Sequence, residues 1–310
     1  MYDVITQMAA LIACGVIWRI IQPYGLDADH CRKVITQLVY TLLLPALVLH
    51  VLWLSPLGAD SARLSLSAMG GILLALALAC LAYRIGKTDS RIAGALVLAA
   101  TFPNATYMGL PVLEQLLGPW AKTIAIQYDL FACTPLLLTV GIIVARTYGE
   151  DRNSQGNLVV DLLKVPPLWA ALLAVVLNVS GTPMPEWIDG WLQLLSTPVV
   201  PLMLIAVGMS LTWSAWQPQY LPLMLPVIAI QLIITPLLVF EVAQLAGLEG
   251  DYLVGTVIEA AMPAMVIGLV FCDRYNLHAG LYAIAVTLTT ALSLFTIPFW
   301  FNYLQGIVTS

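Results

Sequence analysis

The stretch TFPNATYMGLP, residues 101 to 111, sets an amide directly after a proline inside a long apolar segment. Asn104 can donate to an anionic group, and it can also cap a half-helix that begins after Pro103. Tyr107 and Met108 line the break if the half-helix starts there. A second break is expected at AMPAMVIG, where Pro263 and Ala264 stand in a similar setting. Glu259 lies one turn before Pro263, and Asp129 sits within AIQYDLFACTP. An ionisable group at membrane depth is costly and usually faces a cavity or a pathway. Glu259 could hold a sodium ion (Na+) together with nearby carbonyls, or carry a proton (H+). Asp129 shares that coupling role or makes a structural hydrogen bond to a neighbouring helix.

Other polar residues read as structural. Glu114 falls near the end of its span and faces the interface or caps a turn, while His50 is a packed or interfacial residue. Three histidines and five scattered cysteines assemble no recognisable metal site, and no cofactor is expected beyond a coupling Na+ or H+. HExxH, GxSxG and GxxxxGK[ST] are all missing from the sequence, so neither a hydrolase nor an ATP-driven pump is indicated.

The surrounding composition dictates where these groups sit. Of the 310 residues 61% are hydrophobic and only 9% charged, and the mean hydropathy is +0.93, which together define an integral membrane protein of all-α class. A bilayer core of about 30 Å takes roughly 20 apolar residues per helix. Ten transmembrane helices are expected, near 3–21, 34–54, 62–83, 92–116, 122–145, 160–179, 190–212, 219–246, 252–271 and 279–304. The first apolar run follows no basic stretch and precedes no small-residue cleavage site, so it is expected to stay as a span. Ten of the twelve basic residues fall on one side of this arrangement, with only Arg63 and Lys122 on the other. That side is the cytoplasm, which puts both termini outside.

The polar run YGEDRNSQGN divides the chain into a first five-helix repeat, 1–147, a cytoplasmic linker, 148–159, and a second repeat, 160–310. LLLPALVLHVL resembles VVPLMLIAVGM, and AATFPNATYMG resembles EAAMPAMVIG, at offsets of 156 and 160 residues. An odd number of helices per half makes the second repeat inverted, as in many transporters. Pro103 and Pro263 then break helices 4 and 9 near the midplane, where the two can cross antiparallel, with half-helix N-termini and freed carbonyls turned toward the crossing. The alternative is two simple kinks in packed helices.

NATYMGLP resembles the N-x-x-x-M-G-x-P segment of the auxin efflux carrier family, which includes plant carriers and many bacterial relatives. AMPAMVIGLVFCDRYNLHAG is similar to that family's second broken segment through Ala261, Pro263, Phe271, Tyr275 and Asn276. The resemblance implies a fold shared with bile acid/sodium symporters, in which helices 1, 2, 6 and 7 form a scaffold and helices 3–5 and 8–10 a moving transport domain. It also implies a small organic carboxylate as substrate, a homodimer joined through the scaffold, and a place in a bacterial inner membrane. Membrane lipids are the other partners, and no nucleic acid is expected. The leading expectation is therefore a secondary transporter working by elevator-like alternating access. The alternatives are a sodium- or proton-coupled symporter of another small metabolite, an anion channel and a membrane-embedded enzyme.

Overall fold

The computed structural model describes residues 2–55, 57–149, 165–211 and 220–308, and these fold as helices with no strand of more than one isolated bridge. Residues 150–159 of the expected linker lie outside the described residues. The elements are α1 (Tyr2–Ile21), α2 (Ala28–Leu54), α3 (Ala59–Ile85), α4 (Ser90–Thr101) and α5 (Leu110–Leu117), the last preceded by a π-helical turn, Ala105–Gly109. Then come α6 (Pro119–Tyr148), α7 (Pro166–Val179), α8 (Glu186–Ser210), α9 (Leu221–Leu245), α10 (Gly250–Ala260), α11 (Gly268–Arg274) and α12 (Ala279–Val308). Six of these, α2, α3, α6, α8, α9 and α12, are long and apolar enough to cross a membrane, and shorter apolar helices cover Thr6–Ile21, Ser90–Thr101 and Pro166–Val179.

Local signals set the ends. Asp27 caps α2 by accepting from the His30 amide at 2.9 Å, and Asp89 caps α4 by accepting from the amides of Arg91 and Ile92. Pro166 opens α7 at a position where the missing N–H has no partner to lose. Long helices carry π-helical turns at Val39–Leu43, Asp129–Cys133, Leu137–Gly141 and Ile230–Ile234. Three of them run directly into a Pro at the first or second position of the next turn, Pro45, Pro135 and Pro236, and the turn at Ala105–Gly109 runs into Pro111 in the same way. A proline removes one N–H and pushes away the carbonyl a turn back, and the wider π turn absorbs both effects.

The exterior is strongly apolar, and the mostly apolar interior also holds fully buried polar side chains. Ile20, Leu194, Leu245 and Phe295 are each at least 75% exposed, whereas Ser67, Gln127, Gln231, Thr256 and Glu259 are fully buried. Water would not tolerate that distribution, but a bilayer favours it, because polar groups find partners only inside the protein.

Packing pairs α1 with α8, α2 with α7 and α8, α3 with α4, α6 and α9, and α4 with α6 and α12. Gly15 and Gly208 let α1 and α8 touch backbone to backbone: a Cβ on Gly15 would overlap the Ile205 carbonyl, and one on Gly208 the Ile12 carbonyl. Within this first group, Trp53 Nε1 donates to the Thr182 carbonyl at 2.8 Å, and His50 Nε2 meets Asp189 at 2.7 Å. Tyr83 in α3 donates to the Leu223 carbonyl of α9 at 2.8 Å, and Trp300 in α12 donates to the Leu232 carbonyl at 2.9 Å.

Candidate functional site

The two proline breaks meet. Between α4 and the turn at 105, residues 102–104 run extended beside residues 263–265, joined by an antiparallel bridge of Pro103 with Ala264. The Asn104 amide donates to the Pro263 carbonyl at 2.8 Å, and the Met265 amide to the Phe102 carbonyl at 3.1 Å. Broken backbone inside a membrane protein thus satisfies itself in part by pairing with the other break.

Side chains take up the remaining groups. Gln231 in α9 donates to the Met262 carbonyl at 2.8 Å, Tyr282 in α12 donates to the Met265 carbonyl at 2.7 Å, and Thr289 accepts from the Ala264 amide at 3.1 Å. Cys133 of α6 points its thiol at the Pro103 carbonyl, 3.9 Å away. The expectation of unpaired carbonyls at the crossing is therefore corrected: Phe102, Met262, Pro263 and Met265 all accept from protein donors, because unmet acceptors at this depth cost several kcal/mol each.

A cavity of about 80 Å³ lies against this crossing. Its polar wall is Asn104, Thr106, Tyr107, Asp129 and Thr134, and its apolar wall includes Met265, Ile267 and Phe271 beyond the second break. Tyr40 and Leu44 close it from α2, and Leu137 and Leu138 from α6. Asn104 is 4% exposed, its side chain makes no capping bond, and its Nδ2 has no protein partner. The half-helix is held instead by its backbone, since the Asn104 carbonyl accepts from the amides of Met108 and Gly109. Asp129 accepts hydrogen bonds from Thr106 at Oδ2 and from Thr134 at Oδ1, the latter 2.9 Å. Among the described residues, no basic side chain lines this cavity.

A wider vestibule of about 920 Å³ adjoins the cavity through the shared walls Tyr40, Tyr107, Leu138, Ile267 and Phe271. Its lining includes His30, Arg32 and Lys33 together with Asp273. Two cations against one carboxylate leave a net positive wall, which concentrates anions.

The remaining expected residues separate into different places. Pro103, Pro263 and Ala264 form the backbone of the crossing itself. Met108 is buried away from the central cavity, against a small apolar hollow with Met8, Val112 and Pro298. Glu259 is fully buried behind the turn, where Gly109 makes room: a Cβ there would overlap its carboxylate. Neither oxygen of Glu259 has a protein partner, and Gln127 and Tyr128 are likewise buried with unpartnered side-chain polar atoms. The two acids thus differ in setting: Asp129 lines the cavity, whereas Glu259 is fully buried and not among its lining residues. Glu114 pairs with Lys122 at 2.6 Å and serves as a structural ion pair.

Sequence reasoning did not reach Tyr40, Leu44, Thr106, Thr134 or Phe271 as wall residues. Thr134, next to Pro135 and five residues after Asp129, carried the one local signal, a hydroxyl beside a helix break.

Paired helix breaks holding a buried polar cavity within apolar-faced helices define a membrane transporter, in which irregular backbone survives because it lines a site. A model of the family described as membrane transport protein matches residues 22–301, and the chain belongs to that family, the one of the auxin efflux carriers. An "Uncharacterized transporter" of Methanothermobacter thermautotrophicus is 25% identical over 301 residues, covering 96% of both chains. The "Uncharacterized transporter YfdV" of Escherichia coli K12 is 21% identical over 231 residues, 73% of each. The "Probable auxin efflux carrier component 9" of Oryza sativa is 26% identical over 141 residues, which is 43% of this chain and 32% of the rice protein. Family and relatives are transporters, not enzymes.

Proposed function

We propose that the protein is a secondary transporter of a small organic carboxylate, binding it at the crossing and moving it by alternating access. The observation that carries this reading is the Asn104 Nδ2: buried, unpartnered and on a cavity wall, it is a donor reserved for a ligand. The net positive wall of the vestibule favours an anion on approach, and the resemblance of the broken segments to auxin carriers points to the same class.

The architecture proposed is ten transmembrane helices in two inverted repeats, with α4 and α5 forming one broken helix and α10 and α11 the other. The boundaries are 1–147, 148–159 and 160–310, both termini lie outside, and the scaffold of α1, α2, α7 and α8 dimerises. In this reading the vestibule opens to the cytoplasm of a bacterial inner membrane, and the other helices slide against the scaffold as an elevator. Glu259, whose two carboxylate oxygens find no protein hydrogen-bond partner, supplies the coupling site for Na+ or H+.

The test is uptake of labelled mono- and dicarboxylates into proteoliposomes, with and without sodium and a pH gradient. A saturable flux with counter-transport is expected. Failure of every carboxylate to be carried or bound would overturn the proposal, and a non-saturable current would make the protein a channel.

A further inference from the structure

We propose that the substrate also carries a cationic amino group, so that the cavity takes zwitterionic amino-acid-like molecules rather than simple carboxylates. This inference rests on the carboxylate reading above and deepens it. One wall of the cavity offers a donor without a partner, Asn104 Nδ2, and the other offers an acid, Asp129. Asp129 meets only two hydroxyls, Thr106 and Thr134, one on each carboxylate oxygen. Each oxygen can accept further bonds, and among the described residues no lysine, arginine or histidine lines the cavity to neutralise it.

With Asp129 ionised, a simple carboxylate held by Asn104 would place a second negative charge in the same small, weakly screened space, which is repulsive. An ammonium on the ligand removes that conflict, because it gives Asp129 the counter-charge the protein lacks. Thr106, whose hydroxyl holds Asp129, is two residues from Asn104, so donor and acid share one short stretch of the wall, with Tyr40, Leu44 and Phe271 left to receive the ligand's side chain.

The test uses the full-length protein in nanodiscs and matched ligand pairs that differ by the amino group: phenylalanine and hydrocinnamate, leucine and isocaproate, glutamate and glutarate. In at least one pair the amine-bearing member should bind roughly ten- to a hundredfold more tightly, as expected for one charged hydrogen-bonded contact. Asp129→Asn should abolish that preference, while Asn104→Ala should weaken both members of the pair. The comparison within each pair needs no variant, so it stands if Asp129→Asn fails to fold. Tighter or equal binding of the amine-free member in every pair would overturn this inference and leave the carboxylate proposal in place. A preference that persists in folded Asp129→Asn would also overturn it, and binding by no member of either series would overturn both.

Discussion

Asn104→Ala is the sharpest probe of the site, because the structure predicts little effect on folding and a large one on binding. The Nδ2 atom bonds to nothing in the protein, so its removal forfeits no intramolecular hydrogen bond. The lost atoms border an existing cavity, so the cost of the added void is roughly 1 kcal/mol or less. The backbone of residue 104 keeps its bonds to Pro263, Met108 and Gly109 in the variant, since none of these uses the side chain. Binding is different. A hydrogen bond to a charged ligand group contributes roughly 1.5 to 3 kcal/mol, which is about ten- to a hundredfold in affinity. The expected result is a protein with a near-parental thermal unfolding curve and a weakened Kd, measured by titration in nanodiscs. Unchanged affinity in the folded variant would remove Asn104 from the ligand, and a large loss of stability would show its side chain to be structural.

Four further outcomes follow from the same structure. In Glu259→Gln the amide mimics a protonated acid: under proton coupling the variant should bind substrate yet lose pH-driven uptake, and under sodium coupling it should lose sodium-dependent binding. An unaltered response to both ions makes Glu259 structural. Gly208→Ala should cost about 1 to 3 kcal/mol of stability, because the new methyl meets the Ile12 carbonyl and backbone must shift; a stability equal to the parent would mean that α1 and α8 are not tightly packed. In a background without the five native cysteines, cysteines at Gln155 and Ser180 should label from opposite faces, the first from the cytoplasm, and labelling of both from one face would sink the inverted topology. Ser55→Ala removes a 2.6 Å bond to Thr123 and should change the inward-to-outward ratio by roughly two- to tenfold with little effect on intrinsic affinity; an unchanged ratio, read from accessibility of a cavity cysteine on each side, would remove this tie from the gating.

Much of the site was legible because proline and asparagine carry positional meaning in an apolar run. Pro103 and Pro263 marked both breaks, and the neighbouring Asn104 lies on the cavity wall with its Nδ2 unpartnered. Side-chain direction was less legible. Tyr107 lines the cavity and Met108 points elsewhere, because neighbours on a helical turn lie about 100° apart and cannot both face one cavity. Asp129 begins a π-helical turn in α6, so its facing could not be taken from helical spacing. Tyr40 and Leu44 belong to α2 and reach the cavity only through tertiary packing, for which the sequence carries no local mark.

The pattern of hydrogen bonds around the crossing bears on how such a site could move. Every side chain that completes the broken backbone comes from α6, α9 or α12: Cys133, Gln231, Tyr282 and Thr289. Arg91 in α4 ties to Asn276 beyond α11 at 2.6 Å, and Ser90 to the Tyr148 carbonyl at 2.9 Å. The other set of helices is stitched to itself in the same manner, through Trp53 to Thr182, Asn178 to the carbonyls of Leu52, Trp53 and Ser55, and Arg19 to the Met209 carbonyl. Where α2 meets the cavity it does so with Tyr40 and Leu44, and the Ser55–Thr123 pair at its far end bridges the two sets. Breaking one hydroxyl pair costs roughly 1 kcal/mol, whereas pulling apart the crossing would strand several buried backbone groups at once, each far more expensive in hydrocarbon. In the elevator motion proposed above, the crossing would stay intact while sliding past α2, and Asn104 and Asp129 would travel together with a ligand held between them.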